Sequence, residues 1–200
     1  EAKMCGNGIR CVGKYVYDKG YTDKIIVTIE TLSGIRTLRL HVSDGKVKTV
    51  AVDMGMAVAE KPVELDVDGE KVLLTPVSVG NPHAVIFVDD MDSAPLTTLG
   101  PKIERHPFFP DGVNVEFVKV QEKNKLRMRV WERGSGVTMA CGTGACASAM
   151  AAIAAKYCRY EEPIEVQLDG GKLEILIDTD NNVLMTGPAE FVYEGETIDD

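Results

Sequence analysis

"MCGNGIRC" occupies residues 4–11 of this 200-residue chain and "ACGTGACA" occupies residues 140–147. Each is a cysteine followed at once by Gly-x-Gly and then by a run with helical character. One copy carries little weight, since cysteine is often only a small buried hydrophobe. Two copies call for a common explanation, and the residues after each supply it. Beyond Cys5 comes a helical run, GIRCVGKYVYDKG, stopped by Gly20 as a C-terminal cap. Strand patterns follow: KIIVTIETL, then IRTLRLHVSDGKVKTVAV folded back at Asp44-Gly45, then DMGMAV. Beyond Cys141 the order returns as a helix, GACASAMAAIAAKYCRY, then PIEVQL, KLEILIDTDNNVLM and TGPAEFV. Gly34 follows Cys5 by 29 positions and Gly171 follows Cys141 by 30. The sequence therefore reads as a tandem duplication of one α/β unit.

The repeat sets the expected organisation. Residues 1–58 form what is present of a first unit, 59–188 form a complete second unit, and 189–200 form a terminal strand or tail free to return to the first. A charged, turn-rich linker is expected over AEKPVELDVDGEK, residues 59–71. The second unit opens with a strand, VSVGNPHAVIFVDD, whose Asn81 precedes Cys141 by 60 residues. Symmetry then calls for about as many residues before Cys5, so the chain is expected to be the C-terminal portion of a longer protein. The helix after Cys141 is small and apolar all round, which suits the centre of a sheet wrapped around it. The fold class expected is α/β, of the α+β type, with two pseudo-symmetric units. Each is a curved, mostly antiparallel sheet around a central helix.

Composition removes several functional classes. The chain is 44% hydrophobic and 26% charged, with net charge −9, which argues against a broad basic face for nucleic acid. No apolar run approaches the roughly 18 residues of a membrane-spanning helix. The five cysteines are odd in number and include no C-x-x-C, and none of the three histidines neighbours a cysteine. A zinc site and a disulfide framework are both disfavoured, and reduced thiols in a cytoplasmic setting are expected. Cys11, Cys146 and Cys158 fall in the helical segments and are assigned to packing. His41 and His106 are assigned to surface or loops.

A helix start offers unpaired backbone N–H groups and the positive end of the macrodipole. A thiol seated there is acidified, and glycines let a ligand approach the backbone that binds its carboxylate. Should the two units pack about a pseudo-twofold axis, Cys5 and Cys141 would face one cleft from opposite sides. A thiolate that removes a proton and a thiol that returns one are the minimum apparatus for inverting a carbon centre. Neither metal nor cofactor is required.

The quoted motifs, with ERGSGVTMACGTGACA, VGNPHAV, FPDGVNVEF and MTGPAEFVYEG, closely resemble the diaminopimelate epimerase family over essentially the whole chain. The resemblance implies a diaminopimelate epimerase-like fold and cofactor-independent interconversion of LL- and meso-diaminopimelate, on the route to lysine and peptidoglycan. It implies that Cys5 and Cys141 are the acid–base pair, and that Gly6, Asn7, Gly142 and Thr143 hold the reacting carboxylate. Asn81, Asn114, Glu132 and Arg133 match positions that grip the distal end of the substrate. His83 and Glu132 match positions that support the thiols. A homodimer is a further expectation of the family. Val137 departs from the pattern where a polar residue is expected. The family's N-terminal segment supplies further asparagine contacts, so these 200 residues alone are expected to be a poor enzyme or an inactive one. Two rivals remain open: a proline or hydroxyproline racemase, and a non-catalytic amino-acid-binding protein on the same fold.

Overall fold

The computed structural model describes residues 5–196; Met4 of the first motif and the last four residues of the expected tail lie outside the described residues. The elements in order are α1 (Gly6–Asp18), β1 (Ile26–Thr31), β2 (Gly34–Ser43), β3 (Lys46–Met56), β4 (Val58–Ala59), β5 (Val63–Val67), β6 (Glu70–Ser78) and β7 (Pro82–Phe87). Then come α2 (Leu96–Glu104), β8 (Asn114–Glu122), β9 (Lys125–Glu132), β10 (Gly136–Thr138), α3 (Gly142–Ala154), β11 (Ile164–Leu168), β12 (Gly171–Ile177) and β13 (Asn182–Pro188). The strands form one continuous curved sheet in the order β1-β2-β3-β13-β12-β11-β9-β8-β7-β6-β4, with β10 added beside β9 and β5 beside β6. Among the described residues, only β7–β8 and β9–β11 pair in parallel.

The duplication is visible in the topology. The series α1, β1, β2, β3 and the series α3, β11, β12, β13 run in the same order. The last strands of the two series pair with each other, antiparallel, with Val52 opposite Met185 near the middle. Pairing of equivalent strands in opposite directions is what a local twofold axis produces. The β2–β3 hairpin turns at Asp44-Gly45, whose φ values of 54° and 71° are both positive, as a two-residue type I′ connection demands.

Strands β4, β6 to β9 and β11 to β13 all pack against α3, and every residue from Gly144 to Ile153 is buried. Alanines on all sides of this helix let the strands close in. Helix α1 is amphipathic and rests on β2 and β3 through Ile9, Arg10, Gly13 and Lys14. Val12 and Tyr15 on its other flank are exposed. A second core lies on the opposite face of β6 to β8, where α2 and β5 cover Leu74, Ile86, Val115 and Phe117. Residues 189–196 are not a strand; Phe191 lies against Tyr15, and Glu194 pairs with Lys19 on α1.

Four expectations need correction. Residues 59–71 are not a linker, because β5 and β6 form a hairpin there, turning at Asp68-Gly69 with φ values of 55° and 89°. The stretch 77–90 is not one strand, since Gly80, at φ 80°, turns the chain between β6 and β7. Helix α3 ends at Ala154 rather than near Tyr160: Lys156 adopts φ 65°, and the N–H of Tyr157 donates back to the Ala152 carbonyl at 2.9 Å, a Schellman-type stop. Cys158 is therefore buried beyond the helix, and Cys11 is an exposed residue of α1 rather than a packed one.

Met185 is fully buried at the centre of the pairing that joins the two series. Met185→Ala is expected to cost about 2–5 kcal/mol, as other large-to-small core changes do. Urea denaturation checks this.

Candidate active site

Cys5 and Cys141 are the N-cap residues of α1 and α3. Their backbones match, with φ and ψ of −130° and 108° against −127° and 111°. In each case the sulfur accepts the N–H of the residue three positions on, Gly8 at 3.4 Å and Gly144 at 3.3 Å. Sulfur thus takes the place that a Ser or Asp oxygen holds in an ordinary cap.

The two helix starts touch. A Cβ added to Gly6 would lie 3.8 Å from the Cα of Gly142, and one added to Gly142 would lie 3.7 Å from the Cα of Gly6. Met185 lies against both glycines, so side chains there would prise the two helices apart. Asn7 spans the junction by donating to the Ala140 carbonyl at 3.4 Å. Arg10 secures it from below. Its guanidinium donates to the carbonyls of Gly6 and Pro188 and to Oδ1 of Asn7, tying α1 to the end of β13. Sequence reasoning missed Arg10, because an arginine one turn into an amphipathic helix reads as surface.

The surroundings of the two sulfurs differ. Cys5 is exposed, whereas Cys141 is only 6% exposed. Burial pushes the Cys141 thiol up to about 12; Glu116 and Glu132 add to this, while hydrogen bonds from Thr143 and Gly144 work against it. Beside Cys141 a chain of side chains begins at Thr143, whose Oγ1 lies 3.6 Å from Sγ. Asn81, at the β6–β7 turn, donates to Thr143 Oγ1 at 3.3 Å. His83 Nε2 meets Asn81 Oδ1 at 3.1 Å, and His83 Nδ1 meets Glu116 Oε1 at 2.7 Å. His83 and Glu116 are both fully buried, on the face of β7 and β8 that α3 covers.

The remaining expected residues gather at the starts of β7 and β8 and the end of β9. Asn114 is buried, donating to the Pro82 carbonyl at 3.2 Å and accepting the Arg133 N–H at 2.9 Å. Arg133 is exposed; its guanidinium donates to the Asp111 carbonyl at 2.8 Å. Glu132 accepts from the Thr138 hydroxyl. Glu132 and Arg133 make no hydrogen bond to Cys141 or Thr143 among the described residues. Val137 is exposed on β10 and His41 on β2, while His106 is half-buried just after α2. Glu116 is a second residue that the sequence did not disclose, although Asn114 and Glu116, two apart, already mark a polar face on β8.

Two thiols cap abutting helix starts in a duplicated α/β chain with a shared curved sheet, and similarity to known sequences places the chain among the isomerases. The sequence profile of the diaminopimelate epimerase family matches residues 1–60 and 75–192, and the chain belongs to that family. Its relatives include diaminopimelate epimerases of Phocaeicola vulgatus, 51% identical over 98% of this chain and 74% of that one, and of Acetivibrio thermocellus, 50% identical over 98% and 74%. Solved structures with the same fold include a probable proline racemase of Agrobacterium radiobacter, with TM-score 0.77, 19% identity and coverage of 98% of this chain and 68% of that one. A PhzF-family phenazine biosynthesis protein of Bacillus anthracis has TM-score 0.76 at 16% identity, covering 100% and 77%.

The two caps respond differently to a methyl group. A Cβ at Gly144 would lie 2.8 Å from Glu116 Oε1, but one at Gly8 would only touch Cys5 Sγ at 3.5 Å. Gly144→Ala is expected to cost about 1–3 kcal/mol through overpacking. Gly8→Ala should be neutral or stabilising by up to about 1 kcal/mol, from helix propensity. Denaturant melts of the two variants test the difference.

Proposed function

We propose that this chain is built for cofactor-independent epimerisation of LL- to meso-diaminopimelate, with Cys5 and Cys141 as the proton-transferring pair. The observation that carries the reading is the meeting of two cysteine-capped helix starts at Gly6 and Gly142. Family membership supports the substrate.

A thiolate on one side of the substrate takes the α-proton. The electron pair left on carbon spreads into the adjoining carboxylate, and the opposite thiol returns a proton to the other face. Backbone N–H groups of Gly6, Asn7, Gly142 and Thr143, by their place in the first turns, receive the charge that grows on the carboxylate. The high pKa of Cys141 means that it holds its proton at neutral pH. Whichever of Cys5 and Cys141 takes the α-proton, the other protonates carbon. The roles exchange in the reverse direction. After giving up its proton, Cys141 is a buried thiolate, held by the donors Gly144 N–H and Thr143 O–H.

Asn81, Asn114, Glu132 and Arg133 line the distal end in this reading. Arg133 retains N–H groups of its five-donor fork for a second carboxylate, and Glu132 suits the distal ammonium. The reading places the enzyme in the cytoplasm, where its five thiols stay reduced, and includes a homodimer as its assembly.

In deuterated water, LL-diaminopimelate is expected to acquire deuterium at one α-carbon without added pyridoxal phosphate or metal. Cys5→Ala and Cys141→Ala should each lower kcat by about 10²–10⁴-fold, the usual worth of a positioned acid or base, and leave ligand affinity in place. Turnover of proline instead would favour the racemase reading, and binding without exchange would favour a binding protein. The rate should follow a bell-shaped pH profile whose two constants belong to the coupled pair.

A further inference from the structure

Helix α2 ends on a carboxylate that its own helix disfavours. Glu104 is its last residue, at the negative end of the macrodipole, and it is only 9% exposed. Burial of a charge adds a second cost. Two donors from the β9–β10 hairpin offset both. The Trp131 indole N–H donates to Glu104 Oε2 at 2.6 Å, and the Gly134 backbone N–H donates to Oε1 at 2.8 Å. An ionised carboxylate accepts on both oxygens, whereas Gln, of the same length, would turn a donor toward one of these donors. The Trp131 bond holds the Glu104 carboxyl below the usual carboxylate range, against the effect of burial.

Glu132 and Arg133 lie between the two anchors. Glu132 pairs with Gly136 in the ladder, so Arg133, Gly134 and Ser135 make the turn, and each of their backbone N–H groups has an acceptor. That of Arg133 goes to Asn114 Oδ1, that of Gly134 to Glu104, and that of Ser135 to the Glu132 carbonyl at 3.0 Å. The Arg133 stem crosses Gly112, where an added Cβ would lie 2.9 Å from Cδ, and the guanidinium ends on the Asp111 carbonyl. Glu104 makes no hydrogen bond to that guanidinium among the described residues. It holds the backbone from which the side chain springs.

We propose that Glu104 is a positioning residue for substrate selection: by gripping Trp131 and Gly134 from α2, it fixes where the Arg133 guanidinium reaches, and so the length of amino acid bound at both ends. The proposal rests on the epimerase reading for what Arg133 meets, a carboxylate at the distal end of the substrate. The grip itself does not depend on that reading.

Trp131 is the only tryptophan of the chain, so its indole N–H gives a single signal in a nitrogen-15 spectrum. Glu104→Gln should move that proton signal upfield and speed hydrogen exchange at the Gly134 amide roughly tenfold. Calorimetry should show affinity for diaminopimelate lowered roughly tenfold, the order of one hydrogen bond to a charged group. Affinity for norleucine, which has no charged distal end, should stay unchanged. In an Arg133→Met background, Glu104→Gln should cost no further affinity for diaminopimelate. An unmoved indole signal with unchanged Gly134 exchange overturns the proposal. So does equal weakening of both ligands, as general loosening of the structure would give, or the same further loss in the absence of Arg133. Should Glu104→Gln fail to fold, Glu104→Asp, which keeps the charge and shortens the reach, is read in the same way. Should the unsubstituted chain bind no diaminopimelate, the epimerase reading fails by itself, and the indole and Gly134 readings still decide whether Glu104 holds the turn.

Discussion

The antiparallel pairing of β3 with β13 is the constraint on which the rest of the structure depends. These strands hold equivalent places in the two copies of the repeat, so their pairing turns one copy onto the other about a local twofold. The pairing fixes where α1 and α3 begin. Met185, at its centre, lies under Gly6 and Gly142, and Arg10 ties the far end of β13 to the first turn of α1. The two thiols share one locality because two strands share one ladder. Cysteines on helix starts that did not meet would be two unrelated caps.

Symmetry brings the sulfurs together, and departures from symmetry give them different surroundings. Helix α3 is enclosed by strands, whereas α1 has an exposed flank. Cys141 consequently sits where an ionised sulfur is costly, with Glu116 and Glu132 near it. In the proposed reaction, a thiol in such a place needs support once its proton has gone. The first turn of α3 supplies one donor through Gly144 and places the Thr143 hydroxyl 3.6 Å from the sulfur. Gly144 serves twice, since its N–H caps the sulfur and its missing side chain leaves space for the Glu116 carboxylate.

Where reading and structure diverge, the cause is local. Over residues 59–71 the charged residues and the Asp-Gly pair suggest a connection, but Leu65, Val67 and Val72 alternate inward and are buried against α2. The run after Cys141 keeps helical composition to Tyr160, yet Lys156 takes a left-handed conformation that its identity does not announce. Helix α2 contains Pro101 and lacks a side-chain cap; packing against β8 and β9 sustains it. Cys11 looks like a core residue by type, but it falls on the exposed flank of α1.

The sequence by itself determined the duplication, the two cysteine-capped helices, the apolar character of α3 and the Asp44-Gly45 hairpin. Each of these is written in neighbouring residues, through periodicity, capping and turn chemistry. Tertiary structure alone decided that β3 and β13 would pair, that Gly6 and Gly142 would touch, and that Glu116 would be buried beneath Cys141. On β8 the alternation of Asn114 and Glu116 with Val115 and Phe117 fixes two faces, and either could meet water. Helix α3 covers the polar face and α2 the apolar one, so a carboxylate that local pattern would leave in solvent becomes a neighbour of the Cys141 sulfur. Burial is a property of what packs from elsewhere in the chain, and local sequence does not carry it.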